Sequence, residues 1–145
     1  MSLVEMYMPI KAKPKQRPQW SKYSKRPRTP KATREFENKV ATFGKAYMRK
    51  AKLTSFSEPL KVSIIVIKAT PKSWSIAKTL RALGGGIAPT TLGDVDNYAK
   101  SILDGLNGVA FEDDKYIIEL YVKKTYGQQD GIRVNIDLID TDNAY

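Results

Sequence analysis

Apolar and polar residues alternate along this chain with two different periods, and the change of period divides it into strands and helices. In Gly131–Ile139 the apolar side chains Ile132, Val134, Ile136 and Leu138 take every second position, with Arg133, Asn135 and Asp137 between them. A period of two predicts a strand with one buried and one wet face. Tyr116–Tyr126 reads as a second strand, joined to the first by a turn over Gly127–Asp130. Leu60–Ala69, LKVSIIVIKA, is β-branched and mostly apolar, which predicts a strand covered on at least one face. Leu3–Ile10 supplies an early strand. Elsewhere the spacing is helical: Phe36, Val40, Phe43 and Tyr47 predict a helix over Thr33–Lys50 with Thr33 as N-cap, and Ser73–Leu83 predicts another that stops at Gly84-Gly85-Gly86. Val95, Tyr98, Ala99, Ile102, Leu103 and Leu106 fall on one face of a third helix, Val95–Leu106, with Asp94 as its natural N-cap. The expected fold is α/β (α+β): one compact domain over residues 1–145, with a small mixed sheet and helices packed on it.

Composition narrows the chemistry. The chain contains no cysteine and no histidine, which removes thiolate nucleophiles, cysteine zinc sites and the usual general base. Carboxylates, Lys, Tyr, Ser and Thr must carry any reaction. The longest apolar run, within Ser63–Ile67, is far short of the ~20 residues that span a bilayer. A soluble, cytoplasmic protein with no membrane partner is predicted.

Charge changes the picture further, because the net +10 is unevenly placed. Residues 1–52 hold 15 basic and 3 acidic side chains; residues 93–145 hold 5 basic and 11 acidic. A strongly basic half points to a phosphate backbone as partner, since neutralising phosphates releases condensed counterions. The basic residues concentrate in KAKPKQRPQWSKYSKRPRTPK, Lys11 to Lys31, where frequent prolines exclude a continuous helix. A solvated arm would explain this stretch. A DNA-binding arm explains it better, with Lys11, Lys13, Lys15, Arg17, Lys22, Lys25, Arg26 and Arg28 meeting phosphates and Trp20 or Tyr23 stacking on an unpaired base.

Against that basic background, the 22 residues from Gly93 to Asp114, GDVDNYAKSILDGLNGVAFEDD, carry six acids and one base. Asp94 as cap, Asp96 near the helix dipole and Asp96, Lys100 and Asp104 as surface neighbours make an adequate structural account of the first cluster. The second, Glu112-Asp113-Asp114, stands before a strand, where repulsion between neighbouring acids has no evident structural return. Carboxylates from both clusters converging on one point would suit Mg²⁺, a hard cation with oxygen ligands.

The order Pro71, Ser73-Trp74-Ser75, a Gly-containing loop, Asp94-Val95-Asp96-Asn97, Lys100, Leu103-Asp104, Leu106-Asn107-Gly108, Glu112-Asp113-Asp114 and a strand ending Lys123-Lys124 resembles the RusA family of Holliday-junction resolvases. The likeness is strongest over Pro71–Tyr126. It implies a homodimeric, Mg²⁺-dependent endodeoxyribonuclease of bacterial or phage origin, with Mn²⁺ as a substitute metal and branched four-way DNA as substrate. It also implies roles for single residues. Asp94 and Asp96 match the acids of the DxDN motif, Asp114 matches the second acid of the DD pair, Asp113 is a further candidate ligand, and Lys100 matches the helix lysine. Gly93 and Tyr116 depart from the family pattern on either side of these motifs. A non-catalytic nucleic-acid-binding protein and a flap or RNA nuclease on the same carboxylates are the alternatives.

Overall fold

In a computed structural model, residues 3–15 and 30–139 are described. They are organised around one sheet, β1 (Val4–Met8), β2 (Leu60–Ala69), β3 (Ile117–Gly127) and β4 (Gly131–Leu138), in the order β1-β4-β2-β3. β4 runs antiparallel to both β1 and β2, whereas β2 and β3 are parallel. Parallel neighbours need a long crossover. Here the crossover contains helices α2 (Ile76–Leu83) and α3 (Val95–Leu106), which is why the acidic stretch lies between the two parallel strands.

One face of the sheet is apolar across β1, β4 and β2. Val4, Met6 and Met8 of β1, Leu60, Val62, Ile64 and Val66 of β2, and Ile132, Val134 and Ile136 of β4 are all buried. Helix α1 (Lys31–Lys50) and α3 cover that face and pack on each other. Their approach is close because α3 has Gly105 at the crossing, where a Cβ would lie 2.8 Å from Val40 Cβ and 2.9 Å from the Glu37 carbonyl oxygen. The opposite face has no helix on it among the described residues, and the alternation predicted for β4 follows from this. Leu138 departs from the pattern: at the strand's end it is 47% exposed.

Several expected boundaries move, each for a local reason. α1 begins at Lys31 after Pro30, whose φ of −55° and ψ of 144° lie outside the helical region. Thr33 is therefore inside the helix and buried, not its N-cap. α2 begins at Ile76, later than the Ser73 expected, because Pro71 and Trp74 form a turn and Ser75 caps the helix through Oγ, accepting from Lys78 N at 3.1 Å. The segment before β3 is a short 3-10 turn over Asp114–Tyr116. The buried side of α3 is rotated from the predicted face. Tyr98, Ala99, Ile102 and Leu106 are buried as expected, but so are Ser101 and Gly105, while Val95 is 41% exposed. The rotation follows from what covers the helix: α1 meets Gly105, and the segment after β1 crosses Ser101.

Candidate active site

The loop into α3 is pinned from two sides. The Gly93 carbonyl accepts a hydrogen bond from Lys124 Nζ of β3 at 3.1 Å. Pro14 and Tyr98 flank Gly93 so tightly that a Cβ there would stand 3.3 Å from Pro14 Cγ and 3.4 Å from Tyr98 Cε2. Asp94 then takes the N-cap position with extended backbone, φ −70° and ψ 143°, and its carbonyl accepts from Tyr98 N at 3.2 Å. Its carboxylate makes no capping hydrogen bond. An N-cap aspartate ordinarily spends one oxygen on a first-turn amide. Here the position is that of a cap and the side chain is not used as one. Asp96 lies in the first turn, and Asp94, Asp96 and Lys100 are all exposed.

A strap of chain crosses this helix start. The Lys15 amide donates to the Asn97 carbonyl at 2.9 Å, and Ser101 Oγ, fully buried, donates to the Lys13 carbonyl at 2.6 Å. The Lys15 ammonium lies 2.5 Å from Glu37 of α1 and 3.0 Å from Asp104 of α3. These carboxylates hold its proton, raising its affinity against the opposing effect of burial, which is the largest single influence. Lys15 is thus placed in an ion triad between two helices, and Asp104 has a structural partner in Lys15, not in the helix neighbour Lys100 that the spacing suggested. Lys11 and Lys13 alternate outward from the strap into solvent. Arg17, Lys22, Lys25, Arg26 and Arg28, with Trp20 and Tyr23, lie outside the described residues.

The second acidic cluster has a local role that the sequence did not disclose. Asp113 Oδ1 accepts from Lys115 N at 2.9 Å and caps the 3-10 turn. The backbone bond from Lys115, with a side-chain hydrogen bond from Asp114, holds the Asp113 carboxyl below its ordinary range. Asp114 moves the other way: the hydrogen bond shared with Asp113 comes first, then burial and the charges of Asp113 and Asp104, and all push it up. Asp104 of α3 is thus among the charges that act on Asp114. Asp104 stands eight residues beyond Asp96, roughly 12 Å along a helix axis. Among the described residues, no three Asp or Glu side chains stand close enough to hold one ion as they are oriented. The two clusters flank one helix without meeting on a common point.

The donor chemistry nonetheless fits a hard divalent cation. Asp94 and Asp96 are carboxylates that no protein donor saturates through a cap, and the Asp113–Asp114 pair holds like charges together that a cation would relieve. Lys124 is the site residue that sequence reasoning left out. Its signal is phase: Lys124 pairs with Val66, a core position of β2, so a lysine stands where β3 should turn an apolar side chain inward.

Comparison with known proteins decides the family. A family model described as endodeoxyribonuclease RusA matches residues 9–137. The chain belongs to the RusA endodeoxyribonuclease family. It is also 32% identical over 111 residues to a Bacillus subtilis (strain 168) protein named "Uncharacterized protein YqaN", spanning 75% of this chain and 76% of that one. The RusA match runs from the strap through β4, so it embraces both acidic clusters, Lys100 and Lys124 together. Membership implies hydrolysis of DNA phosphodiesters and action on branched junctions. No helix among the described residues is long and apolar enough to cross a membrane.

Proposed function

We propose that this RusA-family chain resolves four-way DNA junctions as a Mg²⁺-dependent endodeoxyribonuclease, cutting two symmetric strands from a homodimer. The observation that supports this most is Asp94: it occupies a helix N-cap, yet its carboxylate makes no cap, and it stands two residues before Asp96 beside a basic strap. Asp94 and Asp96, with Asp114 and Asp113, would hold the metal once their side chains turn toward it from the orientations described above, and Mn²⁺ would substitute for it. When bound, such a cation supplies charge neutralisation at phosphorus and an acidified water.

The rest is the work of the chain's own groups. Lys11 and Lys13 bind backbone phosphates on either side of the helix start, and the arm beyond them, with Arg17, Lys22, Lys25, Arg26 and Arg28, extends that contact along a DNA arm. Lys100, one turn after Asp96 and exposed, places a positive charge where a phosphate held at the α3 N-terminus would stand. The α3 amides add to the same field. Lys124 fixes the loop that carries Asp94 by holding the Gly93 carbonyl. Two incisions at related positions require two copies of this arrangement about one axis.

Incubation with a synthetic four-way junction, with and without Mg²⁺, tests the reading. Paired symmetric nicks that need the metal are expected, with flap, duplex and RNA cut far more slowly. Junction binding without cleavage at any Mg²⁺ or Mn²⁺ concentration would leave a non-catalytic DNA-binding protein. Preferred cleavage of flaps or RNA would move the same carboxylates to another substrate.

A further inference from the structure

The sheet has two edges, and they are treated differently. β1 is five residues long, and Tyr47 of α1 reaches over it to donate to the Tyr7 carbonyl at 2.9 Å. That edge is short and partly covered. β3 is eleven residues long, and among the described residues its strand neighbour is β2 alone. On it Ile118, Leu120 and Tyr121 are 56, 47 and 53% exposed. Natural edge strands are ordinarily blunted by shortness, proline, bulges or charged side chains, because their unpaired amides and carbonyls invite another strand. β3 has no proline, and its charges on this stretch are of both signs.

Register shows what those charges fit. Glu119, Tyr121 and Lys123 pair with Lys61, Ser63 and Ile65 of β2, so all three stand on the face that the helices leave open. Leu120 and Val122 pair with Val62 and Ile64 and stand on the helix side. We propose that two copies of this chain join along β3, antiparallel, about a two-fold axis at Tyr121, making one continuous sheet of two four-stranded halves. In that register Glu119 lies opposite Lys123 of the second copy, and Lys123 opposite its Glu119. Tyr121 faces Tyr121 at the axis, and Leu120 faces Val122. A slip of two residues in either direction sets Glu119 against Tyr121 or Thr125 and loses both charge pairs. The strand is complementary to its own reverse in one register only.

The consequence reaches the candidate site. An axis perpendicular to the sheet keeps both copies of α3 on the same side, so both Asp94/Asp96 helix starts face one broad surface. The interface stands on the strand itself; its value for paired incision rests on the junction-cleaving reading.

The absence of cysteine from the chain makes a direct test available. Directly opposed residues of an antiparallel pair bring Cβ atoms to about 4.5–5.5 Å, near enough for a disulfide with slight adjustment. Tyr121→Cys should give a covalent dimer under mild oxidation. Ile118→Cys should not, because the register puts Ile118 opposite Lys124 and far from its own copy. Glu119→Lys and Lys123→Glu should each weaken dimerisation, measured by sedimentation, on the order of tenfold, and the double reversal should restore it. Equal cross-linking at both positions, singles without effect, a double that fails to rescue, or a wild-type monomer would each overturn the interface. Junction cleavage is scored separately. A dimer that cuts junctions but ignores Glu119 and Lys123 sinks the interface alone; one that follows the register but cuts no nucleic acid sinks the function alone.

Discussion

Ser101→Ala isolates the tie between the basic strap and the acidic helix. The Ser101 hydroxyl is fully buried and stands 2.6 Å from the Lys13 carbonyl and 3.0 Å from the Tyr98 carbonyl. Its single proton serves the shorter contact, which joins chain segments 88 residues apart. Losing a net hydrogen bond costs about 0.5–1.5 kcal/mol, and leaving a buried acceptor unpaired costs about 1–3 kcal/mol. Lys13 itself is exposed, so water can reach its carbonyl once the strap lifts, and the lower part of that range applies. About 1.5 kcal/mol is expected, a fall of roughly 3–6 °C in Tm for a domain of this size. Alanine has the better helix propensity by about half a kcal/mol, which trims the loss. Thermal melts give the stability term, and fluorescence anisotropy with a labelled four-way junction gives the binding term. Weaker junction binding at a temperature where the variant is fully folded would show that the strap positions Lys11 and Lys13. An unchanged Tm with unchanged affinity would refute the tie.

Asp96→Asn should abolish junction cleavage while binding is retained or improved, since shape is kept and one repulsive charge is lost; wild-type turnover would remove Asp96 from the site. Lys11→Ala with Lys13→Ala should lower the slope of log K against log salt by about 0.9 per lost phosphate contact, and an unchanged slope would mean the strap meets no phosphate. Asp114→Asn should lose cleavage and show a smaller Mg²⁺-induced rise in Tm than wild type; equal shifts with retained cleavage would separate Asp114 from the metal. Because the Asp114 carboxyl is raised, its penalty to the folded state is full above that elevated value and is relieved as pH falls toward the ordinary 3.8. The Asp113 shift runs oppositely, so the readout is competition: the Mg²⁺-induced Tm rise should shrink as pH falls through the elevated value in wild type and less so in Asp114→Asn.

The sequence by itself determined the elements and the family. Period-two alternation in β4 and the apolar run of β2 were legible because a sheet covered on one face demands them, and the two acidic clusters were legible as candidates because each is a short local stretch of the chain. Tertiary structure decided what those residues are used for. That Asp94 sits at a cap without capping, that Asp113 caps a 3-10 turn, and that Lys15 lies between Glu37 and Asp104 all depend on partners remote in the chain or on side-chain orientation. The rotation of α3 onto Ser101 and Gly105 has the same origin. Helical periodicity marks a face, but which residues at its margin are buried is set by the elements that arrive there. For α3 those are α1, whose Glu37 and Val40 meet Gly105 from more than 60 residues earlier in the chain, and the strap after β1. Lys124 and the edge position of β3 were hidden for the same reason: a lysine in core phase and a strand with one strand neighbour among the described residues acquire meaning only once the sheet order is known.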